Sequence, residues 1–153
     1  MRASAAKRIT RKTADLALSE FMKRVQEVNS NPHFLIRIVN VVVFGSYLRG
    51  ATDLGDLDLA YDWKPKIEDR AEYKRASIAQ FKASGRPDDC WSFASQGWPE
   101  EEVRLFLKNK QRTYSLLSLH RFFEMDKIET FSYRVLLGDS EYIRIQLLGT
   151  PSS

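Results

Sequence analysis

The stretch that decides the fold runs from Val41 to Trp63 and reads VVVFGSYLRGATDLGDLDLAYDW. Its three consecutive valines favour a strand, because β-branched side chains suit a pleated surface. This apolar run ends at Gly45 and Ser46, where glycine permits a tight turn. After a polar loop, residues 56–60 alternate polar and apolar side chains, which is the period of a second strand. The stretch therefore predicts two strands joined by a glycine-containing turn and loop.

Two acidic residues, Asp56 and Asp58, lie one residue apart on the second predicted strand. Alternate side chains of a strand share a face, and their Cα atoms are about 6–7 Å apart. Two like charges on one face cost free energy unless a cation or an arginine compensates them. Magnesium is usually held by one or two carboxylates together with substrate phosphates. We therefore predict Asp56 and Asp58 as metal ligands and catalytic residues, with a solvent-facing pair on an edge strand as the structural alternative.

The turn before this strand has the composition of a phosphate-binding loop. Gly45 allows close backbone approach, so amide N–H groups and the Ser46 hydroxyl can hold phosphate oxygens. Arg49 is always charged and is predicted to offset the charge of a triphosphate. A metal combined with a phosphate clamp is the machinery of phosphoryl or nucleotidyl transfer. The chain has no G-x-x-x-x-G-K-[ST] and no G-x-G-x-x-G, which argues against a P-loop and a dinucleotide fold.

The sequence Phe44-Gly45-Ser46, followed after nine residues by Asp56-Leu57-Asp58-Leu59, resembles the minimal nucleotidyltransferase motif of the DNA polymerase β superfamily. The resemblance implies a mixed sheet flanked by helices, two magnesium ions and a nucleoside triphosphate as substrate. The implied reaction transfers a nucleoside monophosphate, most often AMP from ATP, to a protein, RNA or small-molecule hydroxyl. Small free-standing members are similar to the antitoxin half of toxin–antitoxin pairs, which implies a cognate, toxin-like partner protein. The alternative is an inactive nucleotidyltransferase-fold module that acts as an antitoxin or regulatory partner.

Active members of this superfamily usually carry a third carboxylate on a later strand, beside the first two. The strand predicted for residues 114–120 offers Ser118 and His120 on one face instead of an acid. His120 is therefore predicted as a base or ligand, since histidine is the side chain that titrates near neutral pH. A structural hydrogen bond at the strand end is the alternative role for this histidine. Other acids that could supply the carboxylate are Glu124, Asp126 and Glu129.

Length and composition indicate one globular domain. The chain has 153 residues, of which 43% are hydrophobic and 29% charged, with a net charge of +4. We expect a domain over residues 13–150, preceded by a basic and flexible arm over residues 1–12. The arm is a solvated tail or a contact for nucleic-acid phosphates, and it has no aromatic residues for stacking on bases. No C-terminal helical domain is predicted to hold an acceptor, so a partner or a homo-oligomer is expected to supply it.

The single cysteine, Cys90, excludes an intramolecular disulfide and favours a reducing, cytoplasmic location. No uninterrupted apolar run is long enough to predict a membrane span.

Periodicity along the remainder predicts an α+β fold with a mixed sheet flanked by helices. One helix is expected from Thr10 or Thr13 to about Val28, and a second over residues 66–83. A third helix is expected to have Pro99 at its first position, after a loop over residues 88–97. A short strand or helical turn is predicted over residues 34–39, separated by Asn40 from the valine strand. Residues 131–137 and 142–148 are predicted to form a β-hairpin.

Overall fold

The computed structural model describes residues 8–50, 52–87, 97–125 and 132–149. A single turn of 3-10 helix, Gly45–Tyr47, follows the valine strand. In chain order the other described elements are β1 (Ile9–Thr10), α1 (Arg11–Ser30), β2 (Ile36–Phe44), β3 (Asp53–Leu54), β4 (Leu57–Pro65), α2 (Arg70–Ala83), α3 (Trp98–Lys108), β5 (Tyr114–Ser118), α4 (Leu119–Phe123), β6 (Tyr133–Leu137) and α5 (Ser140–Leu148).

Four strands form the main sheet in the order β5-β4-β2-β6. β4 and β5 are parallel, with Asp58 beside Ser115, whereas β2 and β6 are antiparallel, with Phe44 beside Tyr133. The side chain of Asn40 contacts Asp62, and Gly45, five residues later, contacts Asp58. Residue numbers therefore increase along β2 while they decrease along β4. These two strands are therefore antiparallel as well. The predicted α+β fold with a mixed sheet is confirmed.

The chain forms two compact units. The first comprises residues 1–20, 39–62 and 111–153, and the second comprises residues 21–38 and 63–110. In the second unit, Phe34 packs against Phe106, and the ammonium group of Lys66 donates to the carbonyls of Val28 and Asn31 at the end of α1. The core of the first unit contains Val42, Phe44, Ala60, Leu119, Phe122, Ile143 and Leu147. The predicted limits of arm and domain stay a prediction.

Three of the predicted helices are confirmed. α1 begins after Thr10, whose hydroxyl accepts the N–H of Thr13 at 3.1 Å and caps the helix. α2 begins at Arg70 rather than at residue 66, because the Asp69 carboxylate caps it by accepting the N–H of Glu72 at 2.9 Å. α3 has Pro99 in its first turn, where the absent N–H of proline costs nothing.

The predicted break at Asn40 is wrong, because β2 continues through it from Ile36 to Phe44. The Asn40 amide nitrogen donates to the Asp62 carboxylate at 3.0 Å, and its oxygen accepts the N–H of Asp139 at 3.1 Å. A buried amide with both ends satisfied does not interrupt a strand.

The predicted hairpin is also wrong, because its second arm is the helix α5. The Asp139 carboxylate accepts the N–H groups of Glu141 and Tyr142 at 3.0 and 3.2 Å, which caps the helix. Ile143 and Leu147, four residues apart, are buried, whereas Ile145 is 51% exposed. The burial therefore follows the period of a helix and not the alternation of a strand.

The strand predicted to reach His120 ends two residues earlier. The Ser118 hydroxyl accepts the N–H of Arg121 at 3.1 Å and starts the short helix α4. His120 therefore lies on a helix. The predicted loop over residues 88–97, including Cys90, lies outside the described residues except for Gly97. No helix in the described ranges is both long and apolar enough to cross a membrane.

Candidate functional site

The turn after β2 has the backbone conformation that its glycine predicts. Gly45 has a φ of +81°, in the left-handed region that side chains disfavour. Within this turn the N–H of Leu48 donates to the carbonyl of Gly45 at 3.0 Å. The N–H of Ser46 lies ahead of the i→i+3 hydrogen bonds of the turn. The turn thus places a backbone N–H beside the half-buried Ser46 hydroxyl.

Gly45 packs directly against the carboxylate of Asp58. A Cβ added to Gly45 would lie 2.5 Å from Asp58 Oδ2, closer than real contacts allow. Position 45 therefore requires glycine for two independent reasons, the positive φ and the neighbouring carboxylate. The structure brings the predicted phosphate turn and the predicted metal ligand together, as expected if they form one site.

The surroundings of Asp58 disfavour the negative charge of its carboxylate. Its carboxylate is half-buried, and burial, followed by the negative charge of Asp56, raises its pKa. The Ser115 hydrogen bond and the positive charge of Arg49 act in the opposite direction. Asp56 lies just before the first residue of β4, and Arg49 is exposed. Asp56 and Arg49 therefore both lie close enough to Asp58 to affect its charge.

Ser115 is a site residue that the sequence analysis missed. The parallel register of β4 and β5 places it beside Asp58, and its hydroxyl hydrogen-bonds the carboxylate. Finding it required the register of two strands that lie far apart in the sequence. No local motif marks this serine, so no sequence signal distinguished it from Ser118.

The structure does not bring His120 to the two aspartates. Ser118, the last residue of β5, lies beside Tyr61, three positions beyond the Asp58–Ser115 pair, which corresponds to about 10 Å along the strand. His120 follows that end, its side chain is 80% exposed, and its Nε2 lies 3.1 Å from a carboxylate oxygen of Glu124. Glu124 is thereby engaged with His120, and Asp126 and Glu129 lie outside the described residues.

Two arginines of the predicted basic arm contact residues near the turn, Tyr47 and Asp53. The Arg11 guanidinium donates to the carbonyl of Tyr47 and lies 4.1 Å from the centroid of the Tyr47 ring. Arg8 donates to the carboxylate and the carbonyl of Asp53, at 3.0 and 2.7 Å. The Tyr47 hydroxyl donates to Asp15, and burial and this contact raise the pKa of the tyrosine. These contacts fix the loop, while residues 1–7 of the arm lie outside the described chain.

The donor set fits magnesium that is shared with a phosphate ligand. Within the described ranges, no group of three or more histidine, cysteine, aspartate or glutamate side chains is placed to hold a metal. Asp56 and Asp58 supply two carboxylates, and oxygen ligands are those that magnesium prefers. Burial, and after it the charge of Asp56, raises the pKa of Asp58, and a cation between the two carboxylates would offset both effects. Two carboxylates are fewer ligands than magnesium takes, so an ion held here would need further oxygen ligands from outside the described residues.

Comparisons of the chain with protein-family models, with curated proteins and with solved structures found no match.

Proposed function

We propose that the chain binds a nucleoside triphosphate with magnesium and transfers its nucleoside monophosphate to a hydroxyl group. The new bond joins the acceptor oxygen to the α-phosphorus, the α–β phosphoanhydride bond breaks, pyrophosphate leaves, and the hydroxyl proton passes to solvent. The observation that supports this most is the packing of Gly45 against Asp58. A glycine turn is used where a backbone must approach a ligand closely, and here it adjoins a carboxylate that lacks full charge compensation. The resemblance of the motif to the DNA polymerase β superfamily supports the same reaction, with AMP from ATP as the first transfer to test.

Each residue has a defined role in this proposal. The Ser46 hydroxyl and the turn's N–H groups bind phosphate oxygens, and Arg49 offsets their negative charge. Asp56 and Asp58 would hold magnesium, which when bound neutralises phosphate charge and polarises the reacting phosphoryl group. Arg11 keeps the turn in place through the Tyr47 carbonyl.

A second candidate function is nucleotide binding without turnover, in an antitoxin or regulatory partner of another protein. The observation that favours it is the serine at position 115. A neutral serine hydroxyl beside Asp58 neither adds a third metal-binding charge nor serves as a general base. With His120 directed elsewhere, the described residues offer no base for the acceptor hydroxyl beside the aspartate pair.

Binding and transfer can be separated with ATP labelled on its α-phosphate. We expect the wild type and the surface control Glu68→Gln to bind ATP only when magnesium is present. In Asp58→Ala we expect the affinity for ATP to fall by about tenfold. Label that appears on a protein or RNA acceptor supports the transferase, whereas binding without label transfer supports the binding module. Binding that is unchanged in Asp58→Ala contradicts both candidates.

A matched pair of glycine variants tests the geometry of the turn. Gly45 and Gly50 have similar φ angles of +81° and +77°, but an added Cβ at Gly50 meets nothing within 4 Å. Alanine at either position costs about 1–2 kcal/mol of backbone strain, so differences between the variants report on the contact with Asp58. We expect Gly45→Ala to lose nucleotide affinity and Gly50→Ala to keep it; equal losses would count against the proposed site.

A further inference from the structure

Helix α2 and the turn after it carry an excess of positive charge. Residues 70–87 contain the cations Arg70, Lys74, Arg75, Lys82 and Arg86 and a single acid, Glu72. Arg86 lies over the ring of Trp98, with 4.8 Å between its guanidinium carbon and the ring centroid. The other four cations are exposed, and within the described residues none of them forms an ion pair. These four residues are here called the α2 basic face.

The four cations of the α2 basic face lie on one side of the helix, which also carries the buried Phe81 and the half-buried Ile78. At 100° per residue, Arg75 and Lys82 differ by about 20° around the axis, and all four cations fall within about 140°. From Arg70 to Lys82 the face extends about 18 Å along the helix. Glu72 lies outside this arc. The exposed Ala71 lies within it and brings no carboxylate to compensate the charge.

We propose that the α2 basic face binds the phosphate backbone of a double-stranded nucleic acid. A rigid row of unpaired cations matches a regular row of phosphates, and phosphate contacts supply most of the affinity of sequence-independent binding. The face has no exposed aromatic ring, since Tyr73 is half-buried, so it offers no stacking platform for the bases of a single strand. The four side chains that recognise the ligand are Arg70, Lys74, Arg75 and Lys82.

Two other assignments of the charge are less well supported by the structure. A helix that binds a lipid surface needs large apolar side chains opposite its basic ones, and the exposed apolar residues of α2 are alanines. The N-terminal arm, the first expectation for nucleic acid, uses Arg8 and Arg11 for internal contacts with Asp53 and Tyr47. The four cations of α2 have no such contacts within the described chain.

Fluorescence anisotropy with a short labelled duplex, in the absence of nucleotide and magnesium, tests this inference independently of the proposed function. Four phosphate contacts predict a slope of about −3.6 when the logarithm of the association constant is plotted against that of the salt concentration. In the double variant Arg75→Gln/Lys82→Gln we expect the slope to weaken by about 1.8. The control Lys12→Gln/Arg121→Gln removes the same net charge from exposed positions outside α2 and is expected to retain the wild-type slope.

Circular dichroism and thermal unfolding establish that all variants fold, so that altered binding reports on the face itself. Duplex RNA or duplex DNA binding that is weakened only by the α2 variant supports the inference. It is overturned if the control loses as much affinity as the α2 variant. It is equally overturned if a single strand, or vesicles of anionic lipid, bind more tightly than the duplex.

Discussion

Asp58 is the residue at which the proposed function and the stability of the fold are most directly opposed. Burial and the charge of Asp56 both raise the pKa of its carboxyl group, so the ionised form destabilises the fold relative to the protonated form. A carboxylate in this position is retained at a cost in free energy, which is typical of residues that bind a ligand.

The variant Asp58→Asn should therefore be more stable than the wild type at neutral pH. The pKa of Asp58 is higher in the folded protein than in the unfolded chain, where it is about 3.9. The protonated carboxyl therefore contributes its full stability below the unfolded-state pKa, and this stability is lost as pH rises through the folded-state pKa. Urea unfolding across this range should show an advantage for the variant that grows with pH. A difference between Asp58→Asn and wild type that stays constant across the pH range would contradict the prediction.

The residues near Gly45 show what the sequence can predict at this scale. Gly45, Asp56 and Asp58 can be predicted as one candidate site because they lie at characteristic spacings within one continuous stretch. Ser115 was not, because it reaches Asp58 through the register of two strands, and register depends on tertiary packing. The sequence pattern predicts that His120 lies on a strand. The strand ends before it, because Ser118 caps the helix that contains His120.

At the scale of elements, the helix-capping residues are the features from which helix starts can be predicted. Pro99 is the second residue of α3, one position later than predicted, and Thr10, one of the two predicted caps, precedes α1. The segment Gly138-Asp139-Ser140-Glu141 is compatible with both a hairpin turn and a helix cap, and the alternating apolar residues after it suggested a strand. Ile143 and Leu147 are both buried and lie four residues apart, which is the spacing of a helix. This burial is known only from the folded chain, so the sequence alone could not distinguish the helix from a strand.

Replacing this cap should destabilise α5 selectively. In Asp139→Ala, the N–H groups of Glu141 and Tyr142 lose their acceptor, and we expect the free energy of unfolding to fall by about 0.5–2 kcal/mol. The loss should appear in chemical denaturation without a change in nucleotide affinity. Ser140→Ala is the matched control at the next position, and an equal loss in that variant would show that the cap is unimportant.

At the scale of the whole molecule, the two proposals place their ligands in different compact units. The proposed nucleotide site lies in the first unit and the α2 basic face in the second; the site residues are Gly45, Ser46, Arg49, Asp56, Asp58 and Ser115. The sequence predicted the fold class from periodicity, but neither the strand order nor this division follows from local patterns, since both depend on contacts between distant segments.

Hydrogen exchange should therefore distinguish the two ligands. ATP with magnesium is expected to slow exchange at the amides of the turn and the start of β4, and a nucleic-acid duplex to slow it within residues 70–83. Free protein in matched salt is the reference for both measurements. Protection of both segments by each ligand would contradict the assignment of two separate sites.

The hydrogen bond between Asn40 and Asp139 has a consequence for biosynthesis, because it spans 99 residues. At translation rates of about 5–20 residues per second, the segment that pairs with the outer side of β2 is made about 5–20 s after β2 itself. During this interval the valine-rich strand, which is short of charge and rich in β-branched residues, has an open edge. We therefore expect the yield of soluble protein to depend on growth temperature and chaperone supply during synthesis more than on the stability of the finished sheet.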